Sequence, residues 1–392
     1  MLLSFALILL SGMLVSKFLS LIKLPRLIGM IGIGILIGPF CLNLIDTTVL
    51  DISSQLRQIA LVIILLRAGL NLKIDDLKKV GRPAILMCFV PASLEIIGMI
   101  LVAPLLFQLD IIDSLIMGTV IAAVSPAVIV PHMLKIMDKG FGVKKAVPQM
   151  ILAGASADDV FVIVLFTSFT GMAKTGPFEA LDLLRIPTSI LFGLIAGILI
   201  GFILHKLFEK ANVDPTKIII VFVCISFVLV TIENAAAGII GFSGLIATMM
   251  LGITFASRSE KKAKSVSEGL SKIWIAAEII LFVLVGAAVD INYAFRDGAK
   301  AILLIILVLV FRMSGVLLCM IGTRLNKKER LFSMLAYTPK ATVQAAIGAI
   351  PLSMGLSSGN TILTVAVVAI LLTAPLGSFL IDITYKKLLE RS

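Results

Sequence analysis

The sequence predicts an all-α polytopic membrane protein of about 13 transmembrane helices, built as an inverted repeat with two broken helices. Three observations carry this. Apolar stretches of about 20 residues recur from one end to the other, each long enough to cross roughly 30 Å of hydrocarbon as a helix. Acidic and basic residues sit inside some of those stretches. Two of the stretches are interrupted by proline at corresponding positions.

Composition supports the first observation. Of 392 residues, 59% are hydrophobic and only 15% charged, and the mean hydropathy is +1.14. Water is a poor solvent for such a chain. Breaking it at charged and Pro/Gly-rich connectors gives spans near 2–22, 25–40, 55–71, 83–108, 111–137, 148–172, 184–208, 215–232, 235–257, 269–289, 300–323, 331–355 and 359–385. The connectors are too short for a soluble domain, so residues 1–392 form a single membrane domain. The first stretch, Met1 to Ile22, lacks a basic n-region and a small-residue cleavage site, and reads as a span rather than a cleaved signal.

The net charge of +11 does not point to nucleic acid, because the basic residues lie in short connectors instead of one patch or stripe. They set the orientation. About 26 of the 34 fall on one side, among them Lys17, Lys23, Arg26, the Lys73–Arg82 and Lys135–Lys145 groups, Arg258–Lys272, Arg324–Arg330 and Lys386, Lys387 and Arg391. That side is expected to be cytoplasmic in a cell inner or plasma membrane, with the N-terminus outside and the C-terminus inside. The four cysteines show no C-x-x-C spacing and suggest neither disulfide nor metal.

An offset of seven spans matches the fourth with the eleventh and the fifth with the twelfth. Seven is odd, so the matched units run in opposite directions. Repeats over about 1–172 and 215–385, linked by a helix over 184–208, follow. Glu95 and Arg312 each lie about twelve residues, or ~18 Å of rise, into their spans. One buried acid and one buried base at matching depth predict an ion pair, serving as a brace. Pro126 and Pro339 interrupt the fifth and twelfth spans. Proline removes a backbone donor and disfavours helix at the residue before it, so the helix is expected to open at Ser125 and again near Thr338. Carbonyls freed near Ser125 offer ligands to a cation. Lys340 offsets the partial negative charge of a helix end at the second break. A simple proline kink would explain either break alone; the pairing argues for a transport site.

Asp158 and Asp159 lie about ten residues into the sixth span, near the bilayer centre. Ionised carboxylates at that depth cost at least about 2.5–3.5 kcal/mol each and mark functional cavities. Adjacent acids resist simultaneous ionisation, so a proton and a cation compete for them, and that competition is the chemistry of antiport. The predicted ion and proton site is therefore Asp159 and Asp158, with a hydroxyl oxygen from Ser156, on the same face as Asp159, and the freed carbonyls near Ser125; hard cations prefer oxygen ligands. A cation channel suits occluded, repeat-matched breaks less well. An intramembrane aspartyl protease needs its two acids on different helices, so an enzyme is not expected. Arg67 reads as snorkelling to the interface, and Glu278 as a buried acid without a role.

These residues resemble a known family. The sequence is similar to sodium/proton antiporters of the monovalent cation/proton antiporter superfamily, NHA-type branch, over nearly the whole chain. The likeness rests on Leu66-Arg67-Ala68-Gly69-Leu70, Val124-Ser125-Pro126-Ala127-Val128, Ser156-Ala157-Asp158-Asp159, Val285-Gly286-Ala287, Arg312 and Pro339-Lys340-Ala341-Thr342-Val343-Gln344-Ala345-Ala346. The resemblance implies an NhaA-like fold whose two broken helices cross. It also implies a dimerisation domain beside a mobile core, a homodimer, and exchange of Na⁺ or Li⁺ for H⁺ without a cofactor. K⁺/H⁺ exchange is the alternative. By the same likeness Asp159 is the principal carboxylate, Asp158 its partner, and Glu95, Arg312 and Lys340 a buried charge network. Ser125-Pro126 stands where many relatives have Thr-Asp, and Arg312 where electrogenic members have lysine, differences that bear on stoichiometry.

Overall fold

The computed structural model describes residues 1–21, 25–72, 81–174, 182–209, 213–236 and 241–391. Lys23, Lys73, Lys78 and Lys79 lie outside them. Among the described residues ten helices are long and apolar enough to cross a membrane, and the apolar segments Arg26–Ile37, Gly244–Arg258 and Thr342–Ser353 are shorter. In chain order the first elements are α1 (Leu2–Leu21), α2 (Arg26–Ile37), α3 (Thr47–Asp51), α4 (Ser53–Asn71), α5 (Arg82–Met87) and α6 (Val90–Phe107). Next come α7 (Ile111–Ala122), α8 (Pro126–Asp138), α9 (Val147–Lys174), α10 (Asp182–Glu209), α11 (Pro215–Ala236) and α12 (Gly244–Arg258). The last are α13 (Glu260–Ala287), α14 (Ile291–Cys319), α15 (Lys327–Ala336), α16 (Thr342–Ile347), α17 (Ile350–Ser353) and α18 (Gly359–Leu388).

The chain divides into two compact units: Met1–Ser54, Asp75–Val162 and Ile279–Ser392 in one, Gln55–Ile74 and Ile163–Glu278 in the other. Each takes segments from both halves of the sequence. In the second unit α10 packs along α12, and small residues permit it: a Cβ on Gly193 or Gly197 would meet the backbone oxygens of Ser243 or Ala247 at 2.7 and 2.5 Å. The first unit carries both predicted breaks.

Several boundaries differ from the hydropathy reading, each for a physical reason. Helix α13 begins at Glu260, nine residues ahead of the expected span. Its polar start is amphipathic, with Ala263, Val266 and Leu270 buried at helical spacing while the charged residues between them face out. Helix α14 begins at Ile291 because Asp290 caps it, its side chain accepting from Asn292 N at 2.9 Å. Helix α2 stops at Ile37, where Gly38 turns extended ahead of Pro39.

The span expected over 83–108 is two helices. Pro91 cannot donate to the carbonyl of Met87, so regular helix lapses at Cys88–Phe89. The freed Met87 carbonyl accepts from the Tyr337 hydroxyl at 3.0 Å. The spans over 111–137 and 331–355 likewise break, at Ala123–Ser125 and Tyr337–Ala341, as the prolines at 126 and 339 predict.

At its cytoplasm-predicted end the first unit is tied by the last turns of α18. Lys135 on α8 bonds Asp382 at 3.1 Å, and Gly142 N donates to the Glu390 carbonyl at 2.8 Å. Lys145 reaches the buried Glu329, which closes a capping box with Asn326 at the start of α15. That hydrogen bond holds the Lys145 ammonium above the usual lysine range. Contacts inside the unit include the approach of α2 to α13. A Cβ on Gly34 would meet Val283 O at 2.1 Å, and one on Gly286 would meet Ile31 O at 2.2 Å. Only glycine lets these two backbones touch. Replacing Gly286 with Val should cost ~1–3 kcal/mol of overpacking and lower the thermal midpoint of the detergent-solubilised protein by several degrees. Gly32, where a Cβ would meet open space, should accept Ala with little change.

Candidate functional site

The site grows from the first break. An unbroken helix would pair each carbonyl with the amide four residues on; Pro126 has no N–H, residues 123–125 are not helical, and Ala123 and Ser125 are extended. The freed groups find substitutes. The Ala122 carbonyl, which Pro126 cannot reach, accepts from Arg312 Nη1. The Ile121 and Ala123 carbonyls accept from the Gln344 amide Nε2 at 3.1 and 2.8 Å. Val124 N donates to Asp158 Oδ2 at 2.8 Å, and Ser125 N donates to the Pro339 carbonyl at 2.8 Å. The last bond joins one break directly to the other.

The second break is paired in the same way. Arg312 Nε donates to the Tyr337 carbonyl at 2.7 Å, Thr338 Oγ1 donates to the Leu335 carbonyl that Pro339 leaves free, and Lys340 N donates to Thr373 Oγ1 on α18 at 2.9 Å. Arg312 also lies over the Tyr337 ring, 5.0 Å from its centroid.

Charges are paired as closely as backbone groups. Arg312 Nη1 lies 2.8 Å from Glu95 Oε2, and its Nη2 lies 3.0 Å from Asp158 Oδ2. Lys340 Nζ lies 2.8 Å from Glu95. All four side chains are fully buried. Two cations face two anions, so this cluster balances without help.

Asp159 does not share in it. It is 7% exposed, and among the described residues it has no hydrogen-bond or ion-pair partner; its Oδ1 is a buried, unsatisfied oxygen. The same is true of Ser125 Oγ, Asp158 Oδ1, Thr342 Oγ1 and Gln344 Oε1. Buried polar atoms are almost always paired, so these five oxygens, from residues at the breaks and the acid pair, stand out as ones that the described residues leave unsatisfied. Oxygen-only donors suit a hard monovalent cation, and among the described residues no group of His, Cys, Asp and Glu suits a transition metal.

The sequence-predicted residues thus fall together in one unit, with Glu95 on α6, Ser125 and Pro126 at the first break, Asp158 and Asp159 on α9, Arg312 on α14 and Pro339 and Lys340 at the second break. Ser156 is on α9, but its side chain lies outside the described residues. Arg312 contacts Asp158 as well as the expected Glu95. Gln344, Thr342 and Tyr337 were missed. Gln344 and Thr342 stood in the motif that carried the family likeness, five and three residues past the helix-breaking Pro339, but nothing local marked their side chains as ones that reach the first break. Among residues without a role in this cluster, Arg67 and Glu278 belong to the other unit.

A polytopic helical membrane protein with interrupted helices joined at two of their breaks and a balanced charge cluster beside a further buried acid has the build of a secondary transporter. Comparison with known proteins makes this specific. A family model described as "Sodium/hydrogen exchanger, transmembrane" matches residues 5–387. Sodium/hydrogen exchanger 9B2 of Xenopus tropicalis is 32% identical over 410 residues, covering 98% of this chain and 74% of that protein. The human protein of the same name is 32% identical over 392 residues, covering 96% of this chain and 73% of its own length. The solved structure of the sodium proton antiporter MjNhaP1 from Methanocaldococcus jannaschii superposes with a TM-score of 0.84 at 20% identity, over 98% of this chain and 97% of that one. The chain therefore belongs to the sodium/hydrogen exchanger family and is a cation/proton antiporter, an integral membrane transporter and not an enzyme.

Removing an anion from between two buried cations is costly. Glu95→Gln should lower stability by ~3–5 kcal/mol, read as a large fall in the thermal midpoint in detergent. Glu390→Gln, whose carboxylate is largely exposed beside Lys145, should move it little.

Proposed function

We propose that the protein exchanges Na⁺ or Li⁺ for H⁺ by alternating access, with cation and proton competing for Asp159. One observation carries the reading: among the described residues Asp159 is a nearly buried acid with no hydrogen-bond or ion-pair partner, set beside a cluster whose own charges cancel. A buried carboxylate in that position needs either a proton or a cation to be neutral, and only one of them fits at a time. Each therefore displaces the other. Asp158 is held by Arg312 and by Val124 N and has one oxygen left over. It shapes the site from beside Asp159, with Ser125 and Ser156 adding hydroxyl oxygens. Glu95, Arg312 and Lys340 keep the two breaks in register while the acid changes its occupant.

The names of the relatives and of the solved neighbour, a sodium/hydrogen exchanger and a sodium proton antiporter, support sodium as the cation. The inverted repeats over 1–172 and 215–385, an N-terminus outside and a C-terminus inside, and assembly as a homodimer complete the reading. They rest on the seven-span offset, the basic-residue asymmetry and the resemblance, respectively.

Purified protein in liposomes loaded with a pH dye tests it. With an imposed pH gradient, adding Na⁺ or Li⁺ should dissipate the gradient, K⁺ should do so poorly, and Asp159→Asn should bring the response down to that of protein-free liposomes. A variant that kept the wild-type rate would remove Asp159 from the transport cycle, and a response to K⁺ above that to Na⁺ would make this a potassium/proton exchanger.

A further inference from the structure

Gln344 is not explained by charge balance or by the acid pair, yet it is fully buried and binds the break that defines the site. Its orientation is set by its neighbours. Both partners of the amide are carbonyls, so the nitrogen must face them and the oxygen must face away. Nε2 thereby occupies the Ile121 and Ala123 carbonyls. One residue further along, Val124 N reaches Asp158, and the next residue carries the unpaired Ser125 hydroxyl. Gln344 Oε1, fully buried, meets no donor among the described residues.

We propose that Gln344 sets ion selectivity by deciding which neutral oxygens the cation meets. It withholds two backbone carbonyls and offers its own amide oxygen instead. The inference rests on the Asp159 site described above and extends it. An opened helix presents several carbonyls close together, the kind of multi-oxygen cage that favours a large, weakly hydrated ion such as K⁺. With Ile121 and Ala123 capped by the amide, the shell has fewer oxygens. A smaller cation is satisfied by fewer ligands at shorter distance, so Li⁺ and Na⁺ gain over K⁺. Gln344 lies on α16, past the second break, while the carbonyls it caps belong to the first. The residue thus makes each break complete the other's ligand set.

The test compares wild type, Gln344→Leu and Gln344→Glu in the same liposome assay, measuring apparent KM and maximal rate for Li⁺, Na⁺ and K⁺, with size-exclusion profiles and thermal midpoints as controls on folding. Leucine removes both the donors and the oxygen. The expected result is an apparent KM for Na⁺ raised several-fold, one for K⁺ raised less or lowered, and a smaller effect on maximal rate. Glutamate restores an oxygen but not the two donors, so it should recover Na⁺ affinity while keeping the improved K⁺ response. Folded, active variants whose three KM values stay in the wild-type ratio would overturn the proposal. So would failure of both variants to fold, since Gln344 would then be a brace for the break and no more. If wild type itself exchanges no cation for protons, or if Asp159→Asn leaves exchange intact, the underlying site is wrong, and that result is distinct from an unchanged selectivity ratio.

Discussion

One constraint organises the first unit: a helix interrupted away from water must have each freed backbone group taken up by another part of the protein. Pro91, Pro126 and Pro339 each leave a carbonyl without its usual amide. Met87, Ala122 and Leu335 are those carbonyls, and they are met by the Tyr337 hydroxyl, the Arg312 guanidinium and the Thr338 hydroxyl. None of these partners comes from the neighbouring turn except Thr338. The rest reach across between helices far apart in sequence, so repairing the backbone also fixes how α5, α7, α14 and α15 sit together. The breaks are costly to make, and the same cost makes their arrangement specific.

Arginine at 312 follows from this requirement. Its guanidinium contacts Glu95, Asp158, the Ala122 carbonyl and the Tyr337 carbonyl, spreading three nitrogens over four acceptors. A lysine ammonium concentrates its donors on one atom and could not span them. The charge of arginine is also permanent, so it serves as a fixed counter-ion rather than as a carrier. Lys340, with a single nitrogen, has a single anionic partner in Glu95.

The sequence made much of this visible and hid a definable remainder. Apolar run length located the helices because the bilayer imposes a length, and proline located the breaks because a missing N–H is a local fact. The pairing of Glu95 with Arg312 was legible from equal depth in matched spans. Helix ends were less legible. Hydropathy reads what lipid requires, while the polar start of α13 is fixed by burial of Ala263, Val266 and Leu270. The partners of the freed carbonyls were not legible either. Nothing local distinguishes Tyr337 or Gln344 from an ordinary buried polar residue; their importance arises from contacts with Met87 and Ala123, 250 and 221 residues away.

The division between balanced and unbalanced groups carries the argument from architecture to transport. Within the cluster the charges of Glu95, Asp158, Arg312 and Lys340 cancel, and all four are locked by short contacts. Such a group gains nothing from admitting another ion. Asp159 is the adjoining residue of α9, and a helix turns by about 100° per residue, so it points away from the contacts that hold Asp158. It shares the depth of the cluster but not its compensation. In the proposed cycle, a fixed scaffold beside Asp159 ties any change of occupant to that acid. The same proposal has the scaffold keep its shape whether the occupant is a proton or a cation, which is what an exchanger needs if it is to carry one outward and the other inward.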